Sequence, residues 1–177
     1  MKIIKKMKWV IFGGVFLFGI GFIGHSVAYL SDGDSAVNEI TVGGNRVEIV
    51  EEFEPPAELV PGVSFTKDVK VENVGPSDCY VRIKAVFTDS DMGKYCSVDF
   101  NTTDYTYNEA DGYYYYKKIL KSGDATPSLF TTVTLSNAIT TAEIKDFDIL
   151  VYTESYQSAG FTDYSKAWEH YHKNKPD

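Results

Sequence analysis

Cysteine is scarce in this chain of 177 residues, and its two copies, Cys79 and Cys96, form no CxxC pair. Their spacing excludes a zinc knuckle and a thioredoxin-like redox site, which need closely spaced thiols. Histidine is nearly as rare, with His25, His170 and His172 its only copies. Within Glu169-His170-Tyr171-His172 the two imidazoles stand at i, i+2, about 200° apart on a helix, so they cannot share a metal as an i, i+4 pair would. Neither a Gly-rich phosphate loop nor a Gly-x-Ser-x-Gly elbow occurs. Asp32-Gly33-Asp34 and Asp89-Ser90-Asp91 lack the distal glutamate of an EF-hand and read as solvated turns. The residues therefore predict no catalytic set, no metal site and no cofactor. Basic charge is also short, 17 Lys and Arg against 25 Asp and Glu for a net charge of −8. Such an excess repels phosphate backbones and anionic headgroups, which argues against a nucleic-acid partner.

Long hydrophobic runs are missing except for one. Sixteen uncharged residues, Trp9 to Gly24, follow a start that carries Lys2, Lys5, Lys6 and Lys8. At 1.5 Å per residue the run reaches about 24 Å as a helix, short of the ~30 Å hydrocarbon core. A positive n-region, an apolar h-region and small residues at Ser26 and Ala28 are the layout of an export signal cleaved before Tyr29. Residues 1–28 are read as that signal, which is the chain's only contact with the membrane, and residues 29–177 as one exported domain of charge −8 − 4 = −12. An oxidising destination permits a disulfide between Cys79 and Cys96, worth about 3 kcal/mol, and two separate buried thiols satisfy the pattern as well.

What the chain does have is period-2 alternation. Val63, Phe65, Val69 and Val71 share one face of a strand, with Ser64, Thr66, Asp68, Lys70 and Glu72 on the other. The same pattern predicts strands over 46–50, 63–74, 80–88, 113–120, 129–135 and 146–154, with short ones at 39–42 and 95–100. The run Tyr113-Tyr114-Tyr115-Tyr116 sends alternate rings to opposite faces, two inward and two outward. The spacers carry turn residues, including Pro61-Gly62, Asp111-Gly112 and Ser122-Gly123-Asp124, and are too short for crossover helices. An antiparallel β-sandwich follows. Only 163–173 has helical spacing, where Tyr164, Ala167, Trp168 and Tyr171 make one apolar stripe after the candidate N-cap Asp163. Asn101-Thr102-Thr103 matches a glycosylation sequon, taken as accidental behind a bacterial-looking leader.

Residues 29–45 admit two readings. Tyr29 to Asn38 is polar and leads into the short apolar pattern Val37, Ile40 and Val42, with enough β-propensity to pair and too little area to fold alone. The segment either forms the first strand of its own domain or is a donor strand that enters another copy's sheet edge.

The order of motifs resembles the TasA/camelysin family of exported proteins. It runs through Ala28-Tyr29-Leu30-Ser31-Asp32, Asn38-Glu39-Ile40-Thr41-Val42-Gly43, Leu59-Val60-Pro61-Gly62 and Lys67-Asp68-Val69-Lys70-Val71-Glu72-Asn73-Val74-Gly75. It continues with Tyr80-Val81-Arg82-Ile83 and Gly112-Tyr113-Tyr114-Tyr115-Tyr116-Lys117-Lys118-Ile119-Leu120. Cys79 and Val74 depart from the small residue and the threonine usual there. The resemblance implies a jelly-roll-like sandwich, export through the signal peptidase SipW, and self-association into extracellular fibres of Gram-positive biofilm matrix. Its camelysin branch implies an alternative, a surface metallopeptidase, for which the sequence offers no ligand set, and a third reading is a surface adhesin that does not polymerise.

Overall fold

A computed structural model describes the backbone of residues 39–41 and residues 45–174. The cleavage positions Ser26, Ala28 and Tyr29, and the donor positions Val37 and Val42, lie outside the described residues. In chain order the elements are β1 (Glu39–Thr41), β2 (Val47–Glu54), β3 (Ser64–Asn73), β4 (Cys79–Phe87) and α1 (Ser90–Tyr95). They continue with β5 (Cys96–Val98), β6 (Tyr105–Asn108), β7 (Tyr113–Tyr116), β8 (Phe130–Leu135), β9 (Ile149–Gln157) and α2 (Tyr164–Asn174). One sheet has the order β1-β9-β4-β7-β6 and the other β2-β3-β8-β5. Every pairing is antiparallel except that of β1 with β9. Only β2–β3 and β6–β7 connect within a sheet, so the chain otherwise crosses from layer to layer.

The alternation explains the layering. Phe65, Val69 and Val71 of β3 and Phe130, Val133 and Leu135 of β8 turn toward Val81 and Ile83 of β4 and Ile149 and Val151 of β9, and all join one core between the sheets. Tyr114 and Tyr116 enter that core, whereas Tyr113 and Tyr115 face the other side, as the tyrosine run predicts. There the outer face of the five-stranded sheet is covered by α2, whose Ala167, Trp168 and Tyr171 pack on Tyr80, Tyr115 and Tyr156. Asp163 Oδ1 accepts from the Lys166 backbone N–H at 3.1 Å and caps the helix.

Two turn positions need glycine. Gly62, at φ 83°, donates its N–H to Leu135 O at 3.0 Å, and a Cβ there would meet Asn137 Oδ1 at 2.2 Å. Gly112, at φ 74°, closes the β6–β7 hairpin by donating to Asn108 O at 2.8 Å.

Several boundaries move. The predicted strand 113–120 stops at Tyr116 because Lys117 N–H turns to Asp104 O at 3.0 Å, and Leu120 forms an isolated bridge with Cys79. The strand predicted over 146–154 begins three residues later and reaches Gln157. Asp89 is an N-cap rather than part of a solvated turn, since its Oδ1 accepts from Asp91 N and Met92 N at 2.8 and 2.9 Å and starts α1. Residue Tyr95 therefore ends a helix, and β5 starts at Cys96. Strand β6 lies where the alternation predicts none. Its four residues are mostly polar or exposed and gain order from pairing with the whole of β7.

Candidate functional site

Two features of the five-stranded sheet bear on function: its β1 edge and a buried ionic centre that fixes β9 beside that edge.

Strand β1 runs parallel to β9, with Glu39, Ile40 and Thr41 opposite Thr153, Glu154 and Ser155. Ile40, the one predicted donor position among the described residues, falls in this ladder. It pairs three of the nine residues of β9, and no other described strand pairs with that edge. The other flank of β9 is fully engaged, matched with β4 from Cys79↔Gln157 to Phe87↔Ile149. An outer edge elsewhere, that of β2, carries the exposed Glu48, Glu52 and Glu54, charges that discourage pairing with a further strand.

The ionic centre lies under α2. Arg82 is 3% exposed on the outward face of β4. Its Nε donates to Glu154 Oε2 at 2.8 Å, and its Nη2 donates to the same oxygen. Nη1 donates to Tyr115 OH at 2.7 Å and to Asp111 Oδ2 at 2.9 Å, with His172 Nε2 3.0 Å away. Tyr115 OH in turn donates to Asp111 Oδ2. Aromatic rings enclose the guanidinium, Tyr113 at 4.2 Å, Trp168 at 4.5 Å and Tyr171 at 5.3 Å from Cζ. Burial works against the charged form, but the hydrogen bond and charge of Glu154 more than offset it and hold the pKa above the ordinary arginine value. With its donors engaged, Arg82 is a post that anchors helix, hairpin and β9 together. It is not a free anion receptor.

Sequence reasoning did not single out this centre. The available signal was one charged residue among aromatics on an outward strand face, Arg82 after Tyr80 and Glu154 between Tyr152 and Tyr156.

The remaining predicted residues separate. Cys79 opens β4 in one sheet and Cys96 opens β5 in the other, and both are free thiols in this structure. Burial pushes the Cys79 thiol up to about 12, with the Asp78 charge adding to it, and the Cys96 thiol up to about 11. His170 Nδ1 meets Tyr156 OH at 2.8 Å, while His172 turns to Arg82. Among the described residues no group of three or more His, Cys, Asp or Glu is gathered that could hold a metal ion, and no helix is long and apolar enough to cross a membrane. Asn101 of the sequon accepts from Thr103 N and Asp104 N at 3.0 Å and donates to Ser128 O at 3.1 Å, shaping the loop before β6. No family model, curated protein or solved structure matches the chain.

Proposed function

We propose that this chain is an exported structural subunit of a Gram-positive cell surface or biofilm matrix, of the TasA/camelysin type, which assembles into fibres by donating its N-terminal strand. The leader carries the export half of the reading. In this reading SipW removes residues 1–28 after Ala28, and the layered sheets are a jelly-roll-like sandwich. The observation that carries assembly is the edge of β9, matched along its length to β4 on one side and paired on the other, among the described residues, with the three residues of β1. A second copy's residues 39–41 can make the same ladder, with main-chain bonds supplying affinity and alternate side chains supplying specificity. Such contacts are heterologous, so they propagate into an open fibre and not a closed dimer.

Electron microscopy of the exported protein beside a variant lacking residues 29–42 tests this. Filaments from the intact protein and a folded, non-polymerising monomer from the variant are expected. Unfolding of the variant would assign the strand to its own domain. Undiminished fibres from the variant would refute donation. Chelator-sensitive peptidase activity would favour the enzyme alternative, and a monomer that polymerises under no condition would favour the adhesin.

A further inference from the structure

Among the described residues, β1 pairs with Thr153, Glu154 and Ser155 of β9, and no strand, turn or loop bonds through its backbone to the same flank of Leu150, Val151 and Tyr152. The open stretch ends at Ile149, whose N–H donates to Asp148 Oδ1 at 2.8 Å. This stretch lacks the usual guards of a sheet edge. The β2 edge carries exposed glutamates, β5 is three residues long and β6 four, whereas β9 has nine residues, no lysine or proline, and no bulge against β4. Leu150 is 41% exposed on the outward face, outside the cluster packed under α2, and Val151 turns into the core.

Direction and register name the occupant. Because β1 is parallel to β9 with Glu39 opposite Thr153, counting back at the same register sets Asn38, Val37 and Ala36 against Tyr152, Val151 and Leu150. Facing residues of a ladder share a face of the sheet, so Val37 takes the core-facing parity of Val151, while Ala36 and Asn38 take the outward parity of Leu150 and Tyr152. The β-branched apolar residue thus falls on the buried side, and a small and a polar residue fall on the other. A slip of one residue would reverse this and bring Ala36 or Asn38 to the core side. Gly33, between Asp32 and Asp34, bounds the segment with turn chemistry.

We infer that the edge Leu150–Val151–Tyr152 is a docking surface for Ala36, Val37 and Asn38 of this chain, which doubles the length of the parallel ladder. Main-chain bonds hold the segment, and Val37 beside Val151 fixes its register. The ladder gives the donation proposed above its register and length, and it does not rest on donation, because the segment of the same subunit makes the same pairing.

Paired cysteines in the full exported chain test it. Facing Cα atoms lie about 4.5–5.5 Å apart, within reach of a disulfide, whereas residues displaced by two lie about 7–8 Å apart, beyond it. Under mild oxidation Ala36→Cys with Leu150→Cys should form its bond about tenfold faster than Asn38→Cys with Leu150→Cys, with peptide mapping to separate it from the native Cys79 and Cys96. Leu150 is exposed, so its substitution leaves the core intact. Adding Val37→Pro removes a ladder donor and should slow the first pair to the rate of the second. Equal rates for the two pairs, no bond in either, or a rate unmoved by Val37→Pro would overturn the inference. A 36–150 bond within one chain supports it, and so does one between two chains, which places the segment on a neighbour. A bond only within one chain, from protein that forms no filaments, would support the ladder and refute donation; filaments without the bond would do the reverse.

Discussion

Replacing Arg82 by Met removes the guanidinium and keeps much of its apolar length. It strands the Glu154 carboxylate, whose side chain is 6% exposed, and removes one partner of Asp111, 24% exposed. Breaking a buried pair on one side costs about 3–5 kcal/mol, chiefly because the surviving charge has neither water nor counterion. Loss of the cation–π contacts acts in the same direction but is not additive with that figure. Since domain stability is typically about 5–15 kcal/mol, the variant should be close to unfolded at 37 °C or strongly shifted in urea. The assay is urea unfolding read in parallel by tryptophan fluorescence, which reports Trp168 at the centre itself, and by far-ultraviolet circular dichroism. A second substitution, Glu154→Gln, removes the stranded charge, so the double variant should be more stable than Arg82→Met alone. A single variant within about 1 kcal/mol of the parent, or a double variant no better than the single, would refute the assignment of Arg82 as the structural post.

Both thiols should resist Ellman's reagent in the native protein at pH 8, because burial holds their pKa near 12 and 11, and both should react once guanidinium unfolds the chain. Absence of thiol after unfolding would instead establish a bond between the two sheets. Burial, assisted by Glu154 for Tyr113 and by Tyr107 for Tyr114, raises both phenols to about 12. The folded state thus keeps protons that the unfolded state releases near pH 10, so this stability is complete below about pH 10 and is lost as pH rises through 12. Absorbance at the phenolate band should show these two ionising together with alkaline unfolding; full ionisation near pH 10 with native circular dichroism would contradict it. Trp168→Ala should cost about 3–5 kcal/mol and release α2, and a loss under about 1 kcal/mol would mean the helix is not docked on the sheet.

The sheet strands were legible because their apolar residues alternate with period 2 and the core lies on one side of each. Glycine at positions 62, 112 and 123 marked turns that require positive φ, and all three adopt it. The helix stripe was legible for the same geometric reason at period 3.6, since Ala167, Trp168 and Tyr171 are the residues buried. What was not legible depends on partners distant in sequence. Strand β6 is four residues long, too short for its Tyr105 and Tyr107 alternation to stand out, and it is fixed by pairing with β7 and by Tyr105 in the core. The outward face of β4 reads as solvent-facing by its Arg82 and Lys84, yet α2 covers it from 80 to 90 positions downstream. Lys67 shows the same limit. It falls on the core-facing parity of β3, and Glu51, 16 residues earlier, neutralises it at 2.7 Å beneath the Phe53 ring.

The Arg82 centre also bears on which strand can exchange. β9 owes its position to nine matched residues of β4, to the burial of Ile149 and Val151, to Thr153 Oγ1 donating to Arg82 O at 3.2 Å, and to the Glu154 pair. None of these involves β1. Three ladder residues contribute at most a few net hydrogen bonds of about 1 kcal/mol each, a small part of the stability that fixes β9. The acceptor edge therefore survives loss of the strand that covers it, which is the condition donation requires. On the donation proposed above, competition between the chain's own strand and a neighbour's is set by concentration. A short connection to β2 gives the tethered strand an effective concentration on the order of millimolar, so exchange needs subunits crowded to a comparable level or a neighbour's ladder longer than three residues. A purified subunit at low concentration should accordingly be monomeric with β1 paired to its own β9, and fibres should appear above a threshold and not in proportion to concentration.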